Sequence, residues 1–237
     1  MWTKLKQKTS DENIVLQTVK QEDDDKKIKP FDQTTPTIGH MALKRLCELG
    51  YISHIVSQNV DGLFLKSNLQ RKFISELHGN FYLDECTRCR TRFIRSSASQ
   101  SMRLQKTGKR CPRGVDVCKG YLRDTILDWE SPIPYNELRV ATRESKKNRL
   151  HVCIGTSLQL RPSKELVVKT KTRGHKLVVL NLQPTMFDKY ADVVINYLAD
   201  DVLCELARQL DFDIPQYEPK EDPTKNTSLV GRPWDKN

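Results

Sequence analysis

Four cysteines constrain this chain more than any other feature. They fall as Cys86-x2-Cys89, then twenty-one residues, then Cys111-x6-Cys118. The stretch around them, about residues 84 to 120, has few large apolar side chains and could not fold on a core of its own. Four thiolates at this spacing fit a tetrahedral zinc site, with a tight first knuckle and a second pair looser than in the usual ribbon. Metal binding worth about 10–16 kcal/mol would supply the missing folding energy. All four positions are taken by the chain, so the metal is structural. A redox pair or unrelated buried thiols are the alternatives. Cys47, Cys153 and Cys204 sit in apolar helix or strand contexts and read as small core residues.

The same stretch is basic. Between Cys86 and Arg123 there are eleven Lys and Arg and a single acid, Asp116, which equals the formal +10 of the whole chain. A surface this charged meets phosphates or an acidic partner such as DNA or chromatin, unless it is simply a solvated face. Seven cysteines at irregular spacing with no export signal point to a reducing compartment. No run approaches eighteen consecutive apolar residues, which excludes an ordinary membrane-spanning helix. Residues 1–30 are polar and lysine-rich, with an acidic run at Glu22-Asp23-Asp24-Asp25, and read as a flexible arm. Lys26-Lys27-Ile28-Lys29-Pro30 is a thin nuclear address.

Hydrophobic periodicity organises the rest. A helix covers Ala42 to Leu49 and stops at Gly50, and a short strand follows at 54–57. Arg71 to Leu77 reads as a further short helix that delivers His78. Leu150–Ile154 and Lys176–Leu180 are strands of the buried parallel type. A helix opened by Pro162-Ser163 and closed by Gly174 lies between them. Asp192–Tyr197 is another strand, and Asp200 to about Leu210 a helix with Val202, Leu203, Leu206 and Leu210 on its apolar face. Strands alternating with helices predict an α/β fold with a mainly parallel sheet. The expected layout is an arm over 1–30, a discontinuous α/β domain over 31–83 and 121–215, and a zinc module over 84–120. The Pro-, Lys- and Asp-rich end, 216–237, reads as disordered.

Polar loops follow the strands: Gln58-Asn59-Val60-Asp61, Gly155-Thr156-Ser157, Asn181-Leu182-Gln183, and Asn196 to Ala199. In a parallel sheet such ends share one edge, where a nucleotide binds. Gly155 permits close backbone approach, Thr156 and Ser157 bring hydroxyls, and the amides suit ribose hydroxyls or an adenine edge. For Ser57 to Gly62 alone, an ordinary turn explains the residues equally well. His78, in Glu76-Leu77-His78-Gly79-Asn80, is the one acid/base candidate near this cluster. His40, His54, His151 and His175 read as packing or surface residues.

These stretches, with the cysteine quartet, together resemble the sirtuins. Arg123 to Glu130 and Gly155 to Gln159 resemble the class IV nuclear branch, and the likeness covers about residues 31 to 217 plus Trp2-Thr3. The resemblance implies a Rossmann-like domain that binds NAD, a small zinc-binding module holding Zn2+, and an acylated lysine of a histone or other nuclear protein threaded between them. In such enzymes the acyl oxygen attacks the nicotinamide ribose and nicotinamide leaves. A histidine, here matched by His78, is the base toward a ribose hydroxyl, and lysine and O-acyl-ADP-ribose are released. By the same resemblance Gln58, Asn59 and Asp61 position the nicotinamide and its ribose. Trp2, Gly155, Thr156, Ser157, Asn181, Gln183 and Ala199 contact NAD, while Ile126, Leu127 and Trp129 line the acyl-lysine channel. The implied activity is NAD-dependent lysine deacylation, with mono-ADP-ribosyl transfer as a companion activity, in the nucleus. The family's first strand and its Gly-Ala-Gly-Ile-Ser loop, which cradles the diphosphate, have no counterpart here. Weak or absent turnover, and a role as a non-catalytic chromatin binder, are the corresponding expectations.

Overall fold

A computed structural model describes residues 31–234, so the expected arm and Trp2 lie outside the described residues. These residues form two compact units, one of 31–141 with 214–234 and the other of 142–213. Residues 84–120 fall in the first of these units, together with the chain before them.

In the first unit a 3-10 turn (Phe31–Gln33) leads into α1 (Ile38–Glu48), which buries Met41, Ala42, Leu46 and Cys47. The helix stops at the expected place. Gly50 takes φ +83°, and the amides of Gly50 and Tyr51 close on the carbonyls of Cys47 and Leu46. Strand β1 (Ile55–Ser57) is followed by the short α2 (Leu63–Lys66), a 3-10 turn (Arg71–Phe73) and β2 (Ile74–Glu76). β1 and β2 pair in parallel, with Ser57 opposite Glu76. The helix expected over Arg71–Leu77 is therefore a turn and a strand. Phe73, Ile74 and Leu77 mimic helical spacing, but pairing with β1 and the β-branched Ile74 favour extension.

Next come β3 (Leu83–Cys86), β4 (Arg92–Ile94), β5 (Lys106–Arg110) and β6 (Tyr121–Asp124), an antiparallel sheet in the order β4-β3-β6-β5. Helix α3 (Tyr135–Lys147) carries the chain into the second unit. There β7 (Leu150–Ile154), α4 (Ser163–Thr172), β8 (Lys176–Leu180), β9 (Val193–Ile195) and α5 (Ala199–Gln209) alternate as expected. The three strands are parallel in the order β7-β8-β9 over a core of Leu158, Val167, Leu177, Val179 and Phe187. α5 buries Leu203 and Ala207, whereas Leu206, expected on its apolar face, is exposed. Among the described residues the parallel strands form two ladders, β1-β2 and β7-β8-β9, in place of one continuous sheet. No described helix is long and apolar enough to cross a membrane.

The end of the chain corrects the expectation of a disordered tail, because residues 216–234 pack on the first unit. Buried Asp222 accepts hydrogen bonds from the Tyr217 hydroxyl (2.7 Å), the Thr224 amide (2.8 Å) and the Thr224 hydroxyl (2.7 Å). Gly231 N–H donates to the Ile94 carbonyl (2.7 Å), Ile94 N–H donates to that of Arg232 (3.2 Å), and Phe93 bridges Pro233. This adds a rung to the free edge of β4. Trp234, only 2% exposed, joins Cys47, Phe64, Leu65, Ile74 and Ile94 in the main core, with the Arg71 guanidinium 5.2 Å from its ring centre. One tryptophan brings enough apolar area to order a polar segment. Trp234→Ala should lower unfolding stability by about 3 kcal/mol, read from a urea titration. An unchanged midpoint would show that the tail contributes nothing.

Candidate active site and zinc centre

β1 and β2 end side by side, and their following loops carry Gln58, Asn59, Asp61 and His78. Leu77 N–H donates to the Ser57 carbonyl (2.9 Å), which prolongs the pairing beyond Glu76 and brings His78 next to the first loop. The His78 ring Nδ1 lies 3.1 Å from the Gln58 carbonyl oxygen. A carbonyl can only accept, so the shared proton sits on Nδ1 and Nε2 keeps its lone pair. Burial pulls the His78 pKa below its ordinary value, and the Gln58 hydrogen bond opposes that only in part. The ring is therefore a neutral base at physiological pH.

The turn reading of Ser57 to Gly62 also finds support here. The Ser57 hydroxyl accepts the Asn59 N–H (3.1 Å), and the Asp61 carboxylate accepts the Leu63 N–H (2.9 Å) at the start of α2. Asn59 is exposed, and the buried Gln58 Nε2 has no partner among the described residues. A buried amide donor left open beside a neutral imidazole is what a ligand-binding loop requires.

The segment after β6 lies against this loop. Leu127 N–H donates to the His78 carbonyl (3.1 Å), and Thr125 Oγ1 meets both the amide (3.0 Å) and the carbonyl (2.9 Å) of Asn80. Ile126 is buried, Leu127 half-buried, and Trp129 is 90% exposed. Ile126 and Leu127 thus stand beside His78, whereas Trp129 projects from the surface.

Beneath His78 is a buried ionic network for which the sequence gives little signal. Glu137 from α3 accepts the Glu76 N–H (2.9 Å) and pairs with Arg92 of β4 (3.0 Å) and with Arg71. Glu76 Oε1 accepts from Asn80 Nδ2 (2.7 Å). Glu76 and Asn80 flank His78 in sequence and could have been singled out. Glu137 lies in α3, a mostly polar and charged helix. Burial raises the Glu76 carboxyl to about 7, against the opposing pull of Arg92 and Arg71. The folded state then keeps a proton that the unfolded chain, with a carboxyl near 4.5, releases. Between those values this group makes stability fall as pH rises. Glu76→Gln, permanently neutral, should flatten that fall between about pH 4.5 and about pH 7 in urea midpoints. Equal slopes in the two proteins would refute it.

The four cysteines come together. Their sulfurs all lie within 4.8 Å of one another, at 3.6 Å for Cys86–Cys118 and 3.8 Å for Cys89–Cys111. Zinc–sulfur arms of about 2.3 Å give a tetrahedron with edges of about 3.8 Å, so the sulfurs fit Zn2+. The amides of Arg88 and Cys89 point at Cys86 Sγ (3.4 and 3.5 Å), as a knuckle requires. A Cβ on Gly120 would fall 2.5 Å from that sulfur. Phe93 and Leu122 are the only other members of this small core among the described residues. By contrast, burial pushes the thiols of Cys47 and Cys153 up to about 12, which suits inert core residues.

In the second unit Gly155, Thr156, Ser157, Asn181, Gln183 and Ala199 all fall at the carboxyl ends of β7, β8 and β9 or at the start of α5. Gly155 has φ +59° with open space where a side chain would stand. Asn181 Nδ2 donates to the Gln183 carbonyl (2.7 Å), and Asn196 Nδ2 to that of Asn181 (2.9 Å). The loops brace one another along one sheet edge.

A family model described as the Sir2 family matches residues 1–162. The NAD-dependent protein deacetylase Sirt6 of Drosophila melanogaster is 41% identical over 202 residues, covering 83% of this chain and 64% of that protein. Human NAD-dependent protein deacetylase sirtuin-7 is 33% identical over 213 residues, covering 81% of this chain and 50% of that protein. The chain thus spans less than two thirds of the length of these relatives. Among solved structures, Sir2Tm bound to a propionylated peptide superposes with a TM-score of 0.60 at 27% identity, covering 78% of this chain and 76% of that one. A Sir2 homolog–NAD complex gives 0.63 at 26% identity, covering 76% and 67%.

Proposed function

The chain belongs to the Sir2 family, and from that premise we propose that it removes acyl groups from protein lysines in an NAD-dependent reaction. The observation that carries this reading is the His78 ring, neutral and held by the Gln58 carbonyl so that Nε2 is the basic nitrogen. NAD, when bound, supplies the ribose that receives the acyl group. Nε2 takes the proton of a ribose hydroxyl, and imidazole suits that task because its basicity lies near neutrality. Gln58 Nε2 is an open donor for the nicotinamide end, with Asn59 and Asp61 beside it. Gly155, Thr156, Ser157, Asn181, Gln183 and Ala199 hold the adenosine end, and Trp2 adds a further contact. Ile126, Leu127 and Trp129 line the path of the acyl-lysine. Cys86, Cys89, Cys111 and Cys118 hold Zn2+ in a purely structural role. The substrates are histones or other nuclear proteins, the site of action is the nucleus, and mono-ADP-ribosyl transfer is a second outcome of the same bound NAD.

Purified protein given NAD and an acetylated histone peptide should release nicotinamide and deacylated peptide. His78→Ala should lower net deacylation by about 100-fold or more. With the His78 pKa depressed, the rate should fall only below the usual imidazole range. Equal deacylation by the His78→Ala protein would overturn the reading.

A second reading, a non-catalytic nucleic-acid binder, is favoured by the exposed Arg88, Lys106, Lys109, Arg110, Arg113 and Lys119 on the zinc module. It expects DNA affinity that drops steeply with salt and survives His78→Ala. A salt-insensitive or absent shift would exclude it.

A further inference from the structure

We propose that Glu137 is a positioning residue for His78, acting through the backbone of Glu76 and linking the zinc module to the basic imidazole. The inference rests on the catalytic role given to His78 above, but its geometry stands apart from that role. Glu137 Oε2 accepts the N–H of Glu76, the last residue of β2 and two before His78 (2.9 Å). Glu137 Oε1 receives Arg92 (3.0 Å) and Arg71, and the Glu137 side chain is 3% exposed. A carboxylate this buried holds its place only because both oxygens are engaged by charged or polar donors.

β4 makes the connection to the metal. Successive strand residues face opposite sides. Phe93 enters the small core of Cys86, Cys111, Cys118 and Leu122, while Ile94 enters the main core. Arg92, on the same side of the strand as Ile94, reaches Glu137. A displacement of β4 at the zinc centre therefore moves one of the two guanidiniums that hold Glu137, and through it the amide of Glu76. On the other flank of His78, Leu127 N–H binds the His78 carbonyl (3.1 Å). The backbone around His78 is also held by the Leu77 N–H bond to the Ser57 carbonyl (2.9 Å), and of these anchors only the one made by Glu137 is charged.

The test is nitrogen-detected NMR of the histidine rings in the zinc-loaded full chain, with the His78 resonance assigned by His78→Ala. In Glu137→Gln the His78 ring should lose the clean Nδ1–H tautomer signature and shift its titration midpoint. Arg92→Lys, which keeps the charge but not the planar fork, should cause a smaller shift in the same direction. In the wild-type chain, which involves no folding risk, the Glu76 amide should exchange slowly with solvent. If the protein turns over, kcat should fall roughly 10- to 100-fold in Glu137→Gln with little change in KM for NAD. An unaltered His78 signature in the folded variants, or a rapidly exchanging Glu76 amide, overturns the proposal. Absence of turnover in the wild type overturns the deacylase reading instead, and leaves the NMR result to decide the role of Glu137.

Discussion

Removing the metal with a strong chelator is expected to unfold the β3–β6 sheet, and Cys86→Ser should do the same without a chelator. The magnitudes decide this. Apart from the cysteines, the small core contains only Phe93 and Leu122 among the described residues. Burying two such side chains contributes about 1.5–3 kcal/mol each. A four-thiolate zinc site contributes about 10–16 kcal/mol. Without the ion, four sulfurs packed at 3.6 and 3.8 Å in their closer pairs lose the charge that holds them together. The consequence should reach the main core, because Leu83 and Ile94 of the same sheet belong to it. Circular dichroism and zinc content measured through a chelator titration give the check. Strand signal that persists after the zinc has left would sink the assignment of the quartet as a structural centre.

The second large effect is expected from Gly79→Ala. The residue has φ +92°, and an added Cβ would lie 1.9 Å from the Thr125 carbonyl oxygen and 2.5 Å from its carbon. Both atoms are backbone, held by the bonds between Thr125 and Asn80 and between Leu127 and His78, so neither can step aside. The positive φ alone costs about 1–2 kcal/mol for a residue with a side chain. Overpacking of a fixed backbone adds about 1–3 kcal/mol or more. A total of about 4 kcal/mol should appear as a lowered urea midpoint, together with lost order at residues 125–128. Gly50→Ala provides the control, since its φ is similar but nothing lies within 4 Å. Equal losses for the two variants would show that backbone strain, and not the close approach, governs this loop.

Local chemistry made much of this architecture legible in the chain itself. Leu150–Ile154 and Lys176–Leu180 are largely apolar runs between turn residues, and both strands occupy those bounds. The cysteine spacing fits a four-thiolate site, and the four sulfurs do come together. What escaped depends on partners distant in sequence. β2 has three residues, too few for a period to distinguish turn from strand, and its pairing with β1 decides. The tail reads as disordered because its composition is polar, and its order comes from Trp234 and Asp222 meeting groups far away. Arg92, Arg95 and Arg123 look like surface charge in a basic run. In the fold they answer Glu137, Asp84 and Glu85, and no local pattern in the chain announces such pairs.

The return of residues 214–234 to the unit begun at residue 31 has a consequence for biosynthesis. The intervening unit, 142–213, is continuous in the chain and relies on neighbouring parallel strands, so it can assemble while translation proceeds. The older, amino-terminal unit cannot. Its core keeps a gap the size of an indole until residue 234 has left the ribosome, and the rim of β4 stays bare for the same interval. A nascent chain stalled short of that point would present apolar surface and an unzipped sheet margin to chaperones, although most of its sequence had already emerged.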